Sequence, residues 1–139
     1  MNVSTVSQHS VFLVNEPGAL KKFVSILYEA GLDIIGIASD IRYEAAVVKF
    51  VTSGPDGGDK TTQLIIKNGY TSVKTDVICV QTISHPGAMS KISEILGDNK
   101  INITTIYGSA MEGQPARLFL VVDDLEKTLE VLGSYRGDL

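Results

Sequence analysis

The sequence predicts an α+β fold built from two copies of one βαββαβ unit. Residues 11–37 align with residues 80–106 at a shift of 69 positions without a gap. The aligned identities include Pro17-Gly18-Ala19 with Pro86-Gly87-Ala88, and strand-like and helix-like stretches follow in the same order in both copies. A repeat of this length indicates duplicated supersecondary structure, so the second copy is expected to carry a counterpart of any site in the first.

Local signals set the bounds of the elements in the first copy. Pro17 suits the first turn of a helix, where its missing N–H would have no partner anyway, and Gly31 is predicted to end that helix as a left-handed cap. The run from Ser53 to Gly58 is the strongest breaker in the chain. Asp59 is predicted to cap the next helix. In chain order we predict a strand at residues 9–14, a helix at 17–30, a strand from 34 to a polar turn at 40–44, a strand at 45–52, a helix at 59–68 and a strand at 71–75.

The second copy repeats this order but ends early. Its elements are predicted as a strand at residues 77–82, a helix at 86–98, strands near 101–109 and 116–122, and a helix that Asp123 or Asp124 begins and Gly133 ends. Only six residues remain after Gly133, so the last strand of this copy is very short or missing. Both copies predict ferredoxin-like antiparallel sheets with helices on one face, in modules at residues 1–76 and 77–139. The other face or an edge must then be covered by the neighbouring module or by a second chain, so we expect a homodimer.

The composition excludes several classes of function. The net charge of −4 over 139 residues argues against binding the phosphate backbone of a nucleic acid. No apolar run approaches the ~20 residues of a membrane span, and the N-terminus lacks the basic start of a signal peptide. The single cysteine, Cys79, precludes an internal disulfide and fits a reducing compartment, so a cytoplasmic location is expected.

No catalytic or metal-binding pattern emerges from the sequence. The two histidines and one cysteine do not have the spacing of metal ligands. No set of nucleophile, base and orienting group is recognisable either. We therefore expect no metal, no cofactor and no enzymatic activity, and we expect no contact with nucleic acid or membrane.

The segment that joins the first strand to the first helix resembles the ACT-domain motif. In the first copy it comprises Asn15-Glu16-Pro17-Gly18-Ala19-Leu20, followed after the helix by Glu29-Ala30-Gly31-Leu32-Asp33-Ile34. The second copy has Ser84-His85-Pro86-Gly87-Ala88-Met89 and later Asn99-Lys100-Ile101-Asn102-Ile103. The resemblance covers residues 8–133 and implies a tandem ACT-domain protein. ACT domains are small-molecule sensors, usually of amino acids, that commonly regulate enzymes of amino-acid metabolism.

The start of each first helix is also chemically suited to an amino acid. The first backbone N–H groups of a helix are unpaired and carry about half a positive charge between them. Gly18 and Gly87 have no side chain to block approach, so a carboxylate can reach the amides of residues 18–20 or 87–89. Each charge-assisted bond of this kind is worth roughly 1.5–3 kcal/mol. The ammonium group of the ligand would need acceptors such as Asn15 or Asp33.

The resemblance implies that Asn15 and Asp33, with Ser84 and Asn102 in the second copy, hold a ligand across an interface between two domains. Ser84 and Asp33 stand where the motif has Asn, so the two sites are expected to differ, and one of them can be silent. Alternative roles are helix caps for Asn15 and Ser84 and turn residues for Asp33 and Asn102. The candidate ligand-binding residues are Asn15, Glu16, Pro17, Gly18, Ala19, Leu20, Asp33, Ser84, His85, Pro86, Gly87, Ala88, Met89 and Asn102.

These observations predict a non-catalytic regulatory protein. It would bind a small amino acid at ACT–ACT interfaces and signal to a separate metabolic enzyme or regulator. Two alternatives remain open: a ligand-independent interaction module resembling the glycine-cleavage repressor, and a detached regulatory subunit of an aspartokinase or acetolactate synthase.

Overall fold

The computed structural model describes residues 1–42, 45–54 and 58–137. Over this part of the chain the predicted α+β order of two βαββαβ-like copies is confirmed. The predicted turn at residues 40–44 falls partly outside the described residues, as does the middle of the breaker at 53–58. The elements are β1 (Asn2–Val14), α1 (Ala19–Glu29), β2 (Ile34–Arg42), β3 (Ala45–Thr52), α2 (Asp59–Lys67), β4 (Ser72–Ile83), α3 (Ala88–Asp98), β5 (Ile103–Ser109), β6 (Pro115–Val122) and α4 (Leu125–Ser134).

The chain divides into two units. The first unit comprises Ser7–Thr75, and the second comprises Met1–Val6 together with Asp76–Leu139. The boundary falls inside β1 and inside β4, so each of these strands contributes residues to both units. The module bounds drawn from the sequence, 1–76 and 77–139, remain a prediction.

The beginning of β1 belongs to the second unit. β1 is the hydrogen-bonded neighbour of β4, and its first residues belong to the unit that contains most of β4. Val3 packs against the core of the second unit, and the Ser4 side chain hydrogen-bonds the Cys79 thiol. The start of β1 therefore belongs to the second unit, in which β4 is its neighbour in the sheet.

Both units place their third strand between two antiparallel neighbours. In the first unit β3 pairs with β1 and β2, with Phe12 opposite Val47. In the second unit β6 pairs with β4 and β5. The register of pairing shifts once between β2 and β3, after Ile34, and once between β5 and β6, after Ile103. These two residues are aligned positions of the repeat. The duplication therefore extends to the irregularities of the sheet.

The helices of the first unit cover one face of its strands. Along β1, Val11 and Leu13 are buried, whereas Phe12 and Val14 are 49% and 60% exposed. This alternation is typical of a strand with one face in the core. The core consists of helix residues Phe23, Leu27 and Ile65 packed on strand residues Val11, Leu13, Val48 and Phe50. The second unit has an equivalent core of Ile78, Val80, Ile92, Leu96, Ile101, Leu120 and Leu132.

Two predicted helix ends are wrong. The N-cap of α2 is Gly58 with φ 83°, and no side chain of residues 1–42, 45–54 or 58–137 caps it, so Asp59 is the first helical residue instead of the cap. Gly133 does not stop α4, which continues to Ser134 because Gly133 keeps a helical conformation. The predicted acidic start of α4 is confirmed, since the Asp124 side chain accepts a hydrogen bond from the Lys127 N–H at 3.0 Å.

The helices α1 and α3 both end in a Schellman motif. For α1 this confirms the left-handed cap that was predicted at Gly31. The Leu32 N–H donates to the Leu27 carbonyl at 3.0 Å, and Gly31 has φ 73°. The aligned residue after α3 is Lys100, which adopts φ 58° and is followed by the same bond pattern. A lysine in this left-handed conformation costs roughly 1–2 kcal/mol relative to its favoured conformations.

Replacing Lys100 with glycine should therefore stabilise the protein. Glycine adopts the left-handed conformation without steric cost, which stabilises the folded state. It also raises the conformational entropy of the unfolded chain, which offsets part of that gain. We expect Lys100→Gly to raise the free energy of unfolding in urea by about 0.5–1 kcal/mol. The reciprocal variant Gly31→Lys should lower it by a similar amount. A loss of stability in Lys100→Gly would contradict this reading of the helix end.

The stability of the second unit should fall at alkaline pH. Burial raises the pKa of the Cys79 thiol above its ordinary 9.0 and the pKa of the Tyr107 hydroxyl above its ordinary 10.0. Groups whose pKa is raised by folding stabilise the protein below their unfolded pKa, and this contribution is lost as the pH rises towards the folded value. Unfolding free energy should thus decline above about pH 9.

A tyrosine variant separates this titration from packing. Tyr107→Phe keeps the ring stacked on Phe119, at 5.3 Å between centroids, and removes the hydroxyl. It should flatten the decline measured by urea unfolding between pH 8 and pH 11, whereas Tyr28→Phe, at a side chain that is 82% exposed, should not. If the unfolding free energy fell with pH at the same rate in Tyr107→Phe and in the unsubstituted protein, the titration of Tyr107 would make no contribution to the loss of stability.

Candidate functional site

The first strand and first helix of the first unit are joined by a type II turn. The Ala19 N–H donates to the Glu16 carbonyl at 3.3 Å, and Gly18 has φ 87° and ψ −12°. A type II turn favours proline at its second position and requires a left-handed residue at its third. Pro17 therefore lies in the turn before α1, and its predicted place in the first helical turn is wrong.

The second unit repeats this turn at the aligned residues. The Ala88 N–H donates to the His85 carbonyl at 3.2 Å, and Gly87 has φ 95° and ψ −14°. Pro86 again precedes the glycine. The duplicated Pro-Gly pair therefore encodes a duplicated backbone geometry, and glycine is required at both positions by the sign of φ.

In the described part of the chain, no side chain caps α1 or α3. Their N-cap residues are Gly18 and Gly87. Asn15 and Ser84 therefore do not act as helix caps, and that alternative role is wrong. The turn does occupy the Ala19 and Ala88 amides, so these two N–H groups are already paired with protein carbonyls.

Asp33 and Asn102 take equivalent backbone positions just before β2 and β5. The Asp33 carbonyl accepts from the Ser53 N–H at 2.9 Å, and the Asn102 carbonyl accepts from the Asp123 N–H at 3.1 Å. The Asn102 N–H also donates to the Asp123 carboxylate at 2.9 Å. Both side chains are exposed, and neither lines the cavities described below.

A cavity of about 730 Å³ opens beside the turn of the first unit. Four predicted residues line it: Glu16, Pro17, Gly18 and Ala19. The walls also include residues that were not predicted, among them Phe12 of β1, Lys22 of α1 and Tyr70 before β4. The Tyr70 ring packs edge-on against Phe23 at 5.2 Å between centroids, which ties this wall to the core. Asn15 and Leu20 lie next to the lining residues without belonging to them.

A cavity of about 590 Å³ lies at the matching place in the second unit. His85 is the predicted residue that lines it, and its Nδ1 lies 2.9 Å from the Pro86 carbonyl oxygen. Gln81 and Thr82 of β4 and Asn2 of β1 contribute further polar groups. The other predicted residues of this copy, Ser84, Pro86, Gly87, Ala88 and Met89, surround the turn but do not line the cavity.

Alignment of the repeat could have found part of these linings. Gln81 and Thr82 are the counterparts of Phe12 and Leu13 at the shift of 69 positions. No local signal could have placed Asn2 there, because its position depends on the beginning of β1 joining the second unit.

His9 and Cys79 are two buried side chains away from the cavities. His9 is fully buried, its Nε2 lies 2.8 Å from Thr62 Oγ1, and its ring stacks on Phe50. Cys79 is buried, and burial raises its pKa, which disfavours the reactive thiolate. Among residues 1–42, 45–54 and 58–137, no group of three or more acidic, histidine or cysteine side chains is arranged to hold a metal ion. No helix in these ranges is long and apolar enough to cross a membrane.

Solved structures share this fold. A protein from Bacteroides thetaiotaomicron superposes with a TM-score of 0.85 at 22% identity, covering 96% of this chain and 90% of its own. The ligand-free regulatory subunit of aspartate kinase from Thermus thermophilus superposes with a TM-score of 0.70 at 16% identity, covering 98% of both chains. No curated protein matches the sequence.

The sequence itself matches a family model over nearly its whole length. The model is that of an ACT domain pair, and the match spans residues 4–136. It includes both Pro-Gly turns, all four helices and both core clusters described above. The chain therefore belongs to the ACT-domain family and is an ACT domain pair.

Proposed function

We propose that this ACT domain pair is a non-catalytic sensor that binds small amino acids beside its two Pro-Gly turns. It passes the signal to a separate metabolic enzyme or regulator. The observation that carries the proposal is that a cavity adjoins the turn of each unit: Pro17, Gly18 and Ala19 line the first, and His85, the first residue of the matching turn, lines the second. Ligand pockets combine apolar walls with polar groups that orient the ligand, and residues of both kinds line each cavity.

The first cavity contains the charges that a zwitterion needs. Lys22 can pair with an α-carboxylate, and the Gly18 amide lies at the uncapped start of α1, where an anion is favoured. Glu16 can accept hydrogen bonds from an α-ammonium group. The Ala19 amide takes no part, because the turn already uses it.

The residues that the family resemblance assigns to an interface remain part of the proposal. Asn15, Asp33, Ser84 and Asn102 do not line the described cavities. Their proposed role is to contact the ligand from a neighbouring ACT domain in the assembled protein. Ligand binding at such an interface would favour one packing of the domains over another, and a partner would recognise that difference.

A detached regulatory subunit is the second candidate function. The structure of the Thermus thermophilus regulatory subunit of aspartate kinase has nearly the same extent as this chain, with 98% of both chains covered. That match supports an aspartokinase as one possible class of partner. A pull-down of this protein with aspartokinase from the same source tests it, and the absence of a complex with and without amino acids would contradict it.

Thermal denaturation with each of the twenty amino acids should reveal a ligand. Binding to the folded state stabilises it by about 2.7 kcal/mol when the ligand is at about 100 times its Kd. We expect one or two amino acids to raise Tm by several degrees. Lys22→Gln and Glu16→Gln should remove the shift caused by the ligand of the first cavity.

Neighbouring residues provide controls for these variants. Lys21→Gln and Glu29→Gln change exposed charges of α1 that do not line the cavity, so they should preserve the shift. Absence of any shift at millimolar amino acid would refute sensing and favour the ligand-independent interaction module.

The protein should be a homodimer in solution. Phe12, Val14 and Ile41 are 49%, 60% and 60% exposed, and apolar strand residues of this kind are commonly covered by a second subunit. Light scattering after size-exclusion chromatography should give twice the chain mass of 14.9 kDa. A mass of one chain at all concentrations would contradict the proposal of a dimer.

A further inference from the structure

The strands of the first unit turn one face away from its helices. Val11 and Val48 are opposite each other and are buried in the core with residues of α1 and α2. Successive residues of a strand point to opposite faces of a sheet. Phe12 and Val47, the next pair in the register, therefore lie on the other face. The part of this face beside the Pro-Gly turn is called the open patch, and it consists of Phe12, Val14, Asp40, Ala45, Val47 and Lys49.

The open patch is largely apolar and accessible. Phe12 and Val14 are 49% and 60% exposed, and their partners on β3, Val47 and Ala45, are half-buried. Val51 faces the same way further along β3 but is only 1% exposed, so the accessible area is confined to the strand ends beside the turn. A contiguous exposed apolar surface of this kind is typical of a protein interface.

The open patch also contains one charge of each sign. Asp40 of β2 is directly opposite Val47, and Lys49 lies two residues further along β3, so both share its face. In a two-fold interface the same patch of both copies meets, so the patch must be complementary to itself. A two-fold axis that runs between Asp40 and Lys49 brings each of them beside an opposite charge on the second copy, which favours this pairing of copies.

The equivalent surface of the second unit is polar. Gln81 is aligned with Phe12, and Arg117 pairs with Gln81 just as Val47 pairs with Phe12. Ser109, on the other side of Arg117, takes the position of Asp40. An amide, a guanidinium and a hydroxyl therefore replace the phenyl ring, the isopropyl group and the carboxylate.

The next row of the second unit is already covered. Cys79 and Phe119 take the positions of Ser10 and Lys49, and they are only 2% and 1% exposed. The Ser4 side chain, from the start of β1, hydrogen-bonds the Cys79 thiol. The accessible apolar surface with its two charges is therefore a property of the first unit and was not kept in the second.

We propose that the open patch of the first unit packs on the same patch of a second copy of the chain about a two-fold axis. This inference rests on the homodimer of the proposed function, because it assigns the surface through which that dimer forms. The sheets of the two first units meet face to face, and the row of Gln81 and Arg117 in the second unit takes no part.

A substitution copied from the repeat tests the apolar contact. Val47→Arg places in the open patch the residue type that the second unit has at the equivalent position, and Val47 lines neither cavity. The guanidinium would be buried between apolar surfaces without a partner, so we expect the dimer dissociation constant to rise about tenfold or more. Light scattering over a concentration series should then show the mass falling towards the 14.9 kDa of one chain.

The helix layer of the same unit provides the control. Ile66 is 62% exposed on α2, so Ile66→Arg makes the same kind of change away from the open patch and should leave the dimer intact. Circular dichroism melting curves should show that both variants are folded.

Reversal of the two charges tests the two-fold geometry. Lys49→Glu makes the open patch doubly negative, and Asp40→Lys makes it doubly positive, so each variant alone should dimerise about tenfold or more weakly at low salt. An equimolar mixture of the two variants should recover the dimer as a heterodimer. Lys67→Glu, which reverses an exposed charge of α2, should have no effect on the mass.

The outcomes separate the inference from the proposed function. Weaker dimers in Val47→Arg and in both charge variants, with recovery in the mixture, would support the inference. Dimers that persist in all three variants, or dissociation without recovery in the mixture, would overturn the assigned surface and leave the homodimer intact. The mass of one chain for the unsubstituted protein at all concentrations would refute the homodimer and the inference with it, whereas the thermal shifts with amino acids would still test sensing.

Discussion

The left-handed backbone of Gly18 and Gly87 is the constraint on which both candidate sites depend. It closes a type II turn, directs the chain from the first strand into the first helix, and leaves that helix without a side-chain cap. Any residue with a Cβ atom would be strained there, so the geometry is encoded by two glycines and the prolines before them. Each cavity opens directly beside one of these turns.

The duplicated backbone supports side chains that have diverged. The turn, the strand irregularity after Ile34 or Ile103, and the Schellman motif at the end of the first helix recur in both units. These features are set by hydrogen bonding and by the sign of φ, so they tolerate few residue types. Exposed cavity positions have no such restriction, and Phe12 and Gln81 can therefore differ completely without a change of fold.

The beginning of β1 has two roles in the second unit. Residues 1–6 belong to the second unit, where β1 is the neighbour of β4 in the sheet. It also brings Asn2 to the second cavity. An open sheet edge exposes unpaired N–H and C=O groups, which favours its occupation by any available strand. The second cavity thus contains a residue that has no counterpart in the repeat.

The sequence by itself determined the order of strands and helices, the duplication, the ACT family and the position of the Pro-Gly turns, because these depend on local periodicity and on backbone preferences of Gly and Pro. It also identified Glu16 and His85 beside the cavities. Two predictions from the sequence are wrong: Pro17 lies in the turn before α1 instead of in the first helical turn, and Asp59 is the first residue of α2 instead of its N-cap. Only the tertiary structure decided that residues 1–6 complete the second unit and that Lys22 lines a cavity while Lys91 pairs with Glu94. Pairing between strands far apart in the chain, and the choice among nearby partners for a flexible side chain, depend on packing that no local pattern records.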